Sequence, residues 1–289
     1  MAEKQYFDPK GREDHLTPRG YLRGFIHPDR NEKDGPLEVF DLETRVWGDP
    51  RTPDELCKET GFYDYSVDKA EVTADDAFRE LEDGIHDVRR KLRDAGFVGW
   101  TKHRDFLLRF GKMLAVRSKL FREHVIANQV QQPALRVLDV NGMNLRVETF
   151  DLRNEPGAES LQKNLSITKM RQEIEKRAEE WDQWNWSLGV APSVECPLVT
   201  ADHPAAMTGA YADRERAYWE GRFVIVIPFG WDFVIVGGPT FKGPEGPLEL
   251  SAEQVEETRR VMCAPGASLL FAPLKLPDMT WVDKELGPR

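Results

Sequence analysis

Apolar positions along this chain change period twice. Between Leu37 and Trp47, the apolar Leu37, Val39 and Val46 alternate with charged neighbours, the two-residue period of a strand with one buried face. Glu43-Thr44 falls between the halves, so two short strands around a bend are predicted there. Gly61 to Tyr65 closes this extended part. From Thr73 the period lengthens. Phe78, Leu81, Ile85, Val88 and Leu92 recur at steps of three and four, one stripe of a helix that opens on Asp75 and Asp76 and ends near Gly96. Phe106, Leu107, Phe110, Met113, Leu114, Val116 and Leu120 give the next helix a face broad enough for a central position. Ile167 to Trp184 reads as a charged amphipathic helix.

Beyond Trp184 the pattern becomes strand-like. Trp186–Val190 and Cys196–Thr200 are short candidates, and Phe223–Ile227 with Phe233–Val236 form a predicted hairpin around residues 228–232. Those β-branched runs lack alternation, which points to strands buried on both faces. Ser251 with Gln254 three residues on is a capping box, so a helix starts there and stops before Pro265-Gly266. Residues 268–272 make a last strand. The fold class predicted is α+β: a mixed or antiparallel sheet with a central helical region. One domain over residues 1–289 is expected, with a helical insert at about 73–130 and a strand-rich part at about 185–275.

Composition narrows the class. With 289 residues, 40% hydrophobic and 31% charged, the chain is globular rather than disordered. A formal net charge of -10 disfavours nucleic acid and leaves room for a protein partner. The basic run Arg89, Arg90, Lys91 and Arg93 stands among Asp83, Asp87 and Asp94, and reads as a solvated helix face. Cys57, Cys196 and Cys263 form neither a disulfide framework nor a Cys-x-x-Cys metal site, so a reducing cytoplasm is expected. The first residues carry no apolar signal core. The longest apolar run, Phe223 to Gly238, is broken by Pro228 and Asp232, so no membrane segment is expected.

The candidate chemistry lies in two segments. Asp14-His15-Leu16-Thr17-Pro18 and Ala201-Asp202-His203-Pro204 each set an Asp-His pair close to a proline, at the edge of apolar sequence. His15 suits an acid, a base or a metal ligand, and Arg19 and Arg23 beside it suit an anion. The alternative is that His15 bonds a backbone carbonyl and locks the N-terminal segment. Asp202, just past a strand, can act as a base or share a divalent metal ion with His15 and His203. Alternatively it closes an Asx-turn. Arg117 on an apolar helix must pair with an acid, with Glu82 or Asp202 as partners, or hold an anion. Glu82 and His86 share a helix face. Trp181, Trp184 and Trp186 are either core at a helix-to-strand junction or an aromatic platform for a base or sugar. The chain has no P-loop, dinucleotide fingerprint, His-Glu-x-x-His or nucleophile elbow.

His15, Pro18, Tyr21, Leu22 and Phe25 spell His-x-x-Pro-x-x-Tyr-Leu-x-x-Phe. With Glu59 to Tyr65, Leu81-Glu82, Arg117 and the later Thr200-Ala201-Asp202-His203-Pro204, this order resembles the bacterial family known as domain of unknown function 4238. In that family's later motif a serine stands where this chain has Ala201, so a serine hydroxyl has no counterpart here. The resemblance runs through most of residues 13–275 and implies an architecture and a set of polar positions, Tyr21 included, without an activity. Arg117 and His124, seven apart, are also similar to the Arg/His spacing of helical HEPN-type ribonucleases, but the β-rich surroundings do not suit an all-helical fold.

Together these readings predict an intracellular hydrolase for a phosphate-containing or nucleotide-like substrate. His15, Asp202 and Arg117 would be catalytic, Arg19, Tyr21, Glu82 and His203 would bind, and His15 and Asp202 would hold any metal. The competing expectation is a non-catalytic binding or regulatory protein, such as a toxin-system or defence component, whose same residues form a structural polar network.

Overall fold

The computed structural model describes residues 13–60, 64–67, 70–73, 76–117, 121, 134–137, 147–150, 167–170, 172, 180–207, 223–263 and 266–287. The chain begins with β1 (Glu13–His15), α1 (Arg19–Leu22) and a 3-10 turn at Arg23–Phe25. The hairpin β2 (Glu38–Asp41) and β3 (Val46–Trp47) follows, then a 3-10 turn at Pro53–Glu55 and β4 (Lys58–Thr60). The bend between β2 and β3 forms as expected because the Asp41 carboxylate accepts both the Thr44 N–H at 2.6 Å and its hydroxyl at 2.9 Å.

A second hairpin, β5 (Asp64–Val67) with β6 (Ala70–Thr73), precedes the helices α2 (Asp76–Asp94) and α3 (Arg104–Val116). Helix α2 opens at Asp76, where Asp75 and Asp76 marked its start, although residues 70–73, at the edge of the expected 73–130 insert, are strand. Within α3, the helix stops at Val116 with Arg117 as its cap, short of the expected Leu120, which lies outside the described residues. Residues 134–137 (β7) and 147–150 (β8) pair antiparallel on either side of the expected Asn141-Gly142 turn, itself outside the described residues. Of the expected 167–184 helix, residues 167–170, 172 and 180–182 are helical, 183 and 184 form a turn and bend, and the rest fall outside the described residues.

The C-terminal part holds β9 (Asn185–Val190), β10 (Thr200–Ala201), β11 (Ala206–Met207), β12 (Ile225–Pro228), β13 (Phe233–Gly238) and β14 (Pro247–Glu249). After them come α4 (Ala252–Met262), β15 (Leu269–Ala272) and α5 (Thr280–Leu286). One sheet runs β11-β12-β13-β9-β14, antiparallel except for β14 beside β9, and the other runs β10-β15-β2-β3, all antiparallel. The architecture is α+β with mixed and antiparallel sheets. The strand expected over 196–200 shortens to Thr200–Ala201, because Pro197 has no N–H and the Leu198 N–H goes to the Trp231 carbonyl at 2.7 Å.

The uninterrupted apolar runs now have a cause. Ile225, Ile227, Phe233 and Ile235 enter a core shared with α1, α2 and α3, while Val226 and Val234 enter a second core with Phe40, Leu270, Val255 and Trp281. Successive residues of a strand point to opposite faces, so a sheet between two cores must be apolar at every position. Among the described residues no helix is long and apolar enough to cross a membrane.

Helix α4 begins at the predicted capping box: the Ser251 side chain accepts from the Gln254 N–H at 3.2 Å, and the Gln254 side chain accepts from the Ser251 N–H at 2.9 Å. Ser251→Ala is expected to lower stability by about 1 kcal/mol in urea unfolding with the m-value unchanged.

Candidate functional site

The N-terminal motif is built as a short strand, a proline and a single helical turn. β1 pairs antiparallel with β4, His15 facing Lys58, and the Leu16 N–H continues the ladder to the Cys57 carbonyl at 2.7 Å. Pro18 fixes the entry to α1, its carbonyl accepting from the Tyr21 and Leu22 N–H groups. Tyr21 then turns inward. Its ring meets Phe25, Phe110 and Phe229, with centroids 5.4–6.4 Å away, and its hydroxyl donates to the Pro228 carbonyl at 2.6 Å. A phenol has one proton, so the 2.8 Å bond to Thr200 Oγ1 is donated by the threonine. Burial raises the Tyr21 pKa well above its ordinary value, and the phenol stays neutral.

The second motif meets the first here. Thr200 holds Tyr21, and the Thr17 hydroxyl donates to the Asp202 carbonyl at 3.2 Å. The Asp202 carboxylate does not stand open. It accepts from the Ser268 N–H at 3.0 Å and the Leu269 N–H at 3.3 Å, with the main chain of His203 also bonded to it. Burial pushes the Asp202 pKa up, and these bonds oppose that rise. Asp202 therefore fastens the exit of β10 to the entry of β15, a longer-range form of the Asx-turn. Cys57 lies at the same junction, in left-handed backbone (φ 53), its thiol pushed up to about 12 by burial.

Arg117 and Glu82 pair as the apolar setting of Arg117 demanded. The guanidinium also lies 5.1 Å from the Phe78 ring centroid and is 2% exposed. His86 takes Glu32 as its partner, Nδ1 to Oε1 3.2 Å, on the solvent side of α2. His124 lies outside the described residues.

His15 is the least committed member of the set. Its ring is partly buried and bonded to the main chain of Asp54. Burial first, and then the charges of Arg19 and Lys58, lower its pKa, so the neutral imidazole is favoured. Nε2 is shielded from solvent and has no hydrogen-bond partner. Arg19 pairs with Asp54 at 2.7 Å, both side chains about half exposed (53% and 50%). Among the described residues no group of three or more His, Cys, Asp or Glu is placed to hold a metal ion. His203 is partly buried beside Asp202.

Two buried cations were not singled out from the sequence. Arg89 is 1% exposed and donates Nη1 to the Tyr21 carbonyl at 2.9 Å and the Phe229 carbonyl at 3.2 Å, and Nη2 to the Gly20 carbonyl. The expected solvated basic face is therefore split: Arg89 is core, Arg93 pairs bidentately with Asp232 (2.6 and 3.0 Å), and Arg90 stays exposed beside Asp87. The signal was positional, since Arg89 lies four residues after Ile85 and three before Leu92, on the apolar stripe. Lys112 sits inside the apolar face of α3 with its side chain at 0% exposure. Its Nζ is 5.7 Å from the Trp181 ring centroid and 3.7 Å from the Asp182 carboxylate, an ion-pair distance beyond hydrogen bonding. Burial lowers its pKa to about 8. The tryptophans themselves are core: Trp181 and Trp186 are buried, and Trp184 stacks on both at 6.0 and 6.2 Å.

The family model described as "Protein of unknown function (DUF4238)" matches residues 13–267, and the chain belongs to that family. No curated protein and no solved structure matches.

Two expectations follow. Tyr21→Phe strands the Thr200 hydroxyl and the Pro228 carbonyl in the core, and should lower stability by about 1–3 kcal/mol in urea unfolding. For Lys112, a folded pKa near 8 against 10.5 unfolded means the folded state binds fewer protons between those values. The cost of burying its charge is complete below pH 8 and is relieved as pH rises toward 10.5. Lys112→Met should therefore be more stable than wild type by about 1 kcal/mol at pH 7, with the gap closing by pH 10 in parallel urea titrations.

Proposed function

We propose that this protein works by binding rather than by turnover, and that its two motifs are the scaffold of a surface rather than a catalytic constellation. The carrying observation is the Tyr21 hydroxyl, sealed in the core between Pro228 and Thr200. A hydroxyl so committed reaches no substrate. Asp202, saturated by main-chain N–H groups, and Arg117, paired with Glu82, support the same reading.

Among the described residues, β1, α1 and β4 bring His15 and Arg19 together near a half-exposed ion pair of Arg19 with Asp54. Against a net charge of -10, this cationic corner favours a small anionic ligand or a local acidic feature of a protein partner over a nucleic acid. The three free cysteines, Cys57, Cys196 and Cys263, support a reducing compartment such as the cytoplasm.

The test is a panel of phosphate monoesters, diesters and nucleotides, with and without Mn²⁺, run on wild type and His15→Ala. Background rates alone, equal in both, are expected. Turnover by the wild type that His15→Ala loses while keeping its circular dichroism and melting temperature would reinstate the hydrolase.

A further inference from the structure

We infer that His15, Arg19 and Lys58 form a binding site for a phosphate-type oxyanion on a small molecule, on the face that β1, α1 and β4 share. The inference deepens the binding reading by naming its ligand class. In the β1–β4 ladder His15 stands directly opposite Lys58, so the two side chains leave the same face of the ribbon. Arg19 joins them from the first position of α1, and Arg23 reaches the neighbourhood from the following turn, near enough to act on Asp54. Arg19 and Arg23 act on the Asp54 carboxylate, and Arg19 and Lys58 act on the His15 ring, in a chain with ten more acidic than basic charges.

The ion pair between Arg19 and Asp54 is no obstacle. Both partners are about half exposed, and such pairs contribute roughly 0–1 kcal/mol, so Arg19 exchanges readily onto a doubly charged ligand. The ring of His15 supplies what a mere cationic patch lacks. One side is held by the Asp54 main chain, and Nε2 is shielded and unbonded. A buried nitrogen with no partner costs free energy that an arriving ligand can recover. When a phosphate dianion binds, Nε2 takes a proton from solvent and donates it in a hydrogen bond to a phosphate oxygen. No covalent bond is made or broken. The groups facing the imidazole are Arg19 from α1, Lys58 from β4, and Asp54 with its main chain from the intervening turn. Burial, and after it the two cations, favour the neutral ring in the free protein, and a bound dianion offsets the effect of the cations.

The experiment is a titration of the full chain with inorganic phosphate at pH 7, against sodium chloride of matched ionic strength. It is followed by the ¹⁵N resonances of the histidine rings, with His15 assigned by difference from His15→Gln. A saturable shift of the His15 Nε2 resonance from the bare to the protonated position, in phosphate and not in chloride, is expected. Arg19→Gln, an exposed position that should fold normally, should weaken the titration about tenfold. No saturable shift, the same shift in chloride, or equal affinity in Arg19→Gln would each overturn the site. Failure here leaves the non-catalytic reading standing. Turnover in the ester panel with phosphate still bound would sink that reading and keep the site.

Discussion

A buried guanidinium needs acceptors for its terminal N–H groups, and Arg89 finds them in main-chain carbonyls for Nη1 and Nη2, while its buried Nε has no hydrogen-bond partner. Gly20, Tyr21 and Phe229 supply those carbonyls, the first two from the single turn of α1 and the third from the connection between β12 and β13. Burial lowers the Arg89 pKa to about 10, which still leaves the side chain charged at neutral pH. The charge cannot be shed, so the bonds cannot be released. One side chain on α2 thereby fixes a helical turn to the five-stranded sheet.

The need runs in both directions. A helix of four residues makes almost no internal ladder, and its last carbonyls have no partner within it. Left to itself α1 would not persist. Arg89 satisfies two of those carbonyls, and close approach is possible because Gly24 has no side chain: a Cβ there would lie 2.6 Å from the Phe229 carbonyl and collide with the guanidinium. The Tyr21 ring then enters the space between α3 and the sheet, and its hydroxyl reaches Thr200 at the start of β10. Through Thr200 and the Thr17–Asp202 bond, the order extends to β15 and so to the second sheet. A proline-led turn, an internal arginine and two threonines thus join elements separated by 179 and 185 residues in sequence.

Much of this was legible in the chain, and the reasons it was legible are also the reasons the rest was not. The periods of three and four through Phe78 and Leu92, the capping box at Ser251 and the two-sided strands at Ile225 and Phe233 are local consequences of burial, and each stands where its pattern placed it. Arg117 was recognisable as needing a partner because it follows an apolar helix, and Glu82 supplies one. By contrast, β1 and β4 are three residues each and take their stability from pairing and from Thr17 and Cys57 nearby, which no local period records. Arg89 hid among basic neighbours. Its role depends on three carbonyls brought from two distant segments, and a carbonyl is present at every residue. The partners of Asp202 escaped notice for the same reason, being the N–H groups of Ser268 and Leu269.

That dependence on main-chain partners bears on what the motifs can do. A side chain that serves catalysis must keep a lone pair or a proton for the substrate, whereas one that serves the fold spends both on the protein. Tyr21 has given its proton to Pro228 and its acceptor site to Thr200; Asp202 has filled its oxygens with N–H donors; Arg117 has Glu82 and the Phe78 ring. Among the described motif residues, His15 keeps a shielded Nε2 with no hydrogen-bond partner, close to Arg19 and Lys58. The distribution has a physical logic. The buried members tie α1 to the sheet and to α2, next to β1 and His15. A neutral imidazole flanked by an arginine and a lysine is arranged to receive negative charge, and the same arrangement works against a metal cation. The two halves of the His/Asp pairing read from the sequence thus stand in different settings, Asp202 bonded to the main chain at the start of β15 and His15 beside Arg19 and Lys58.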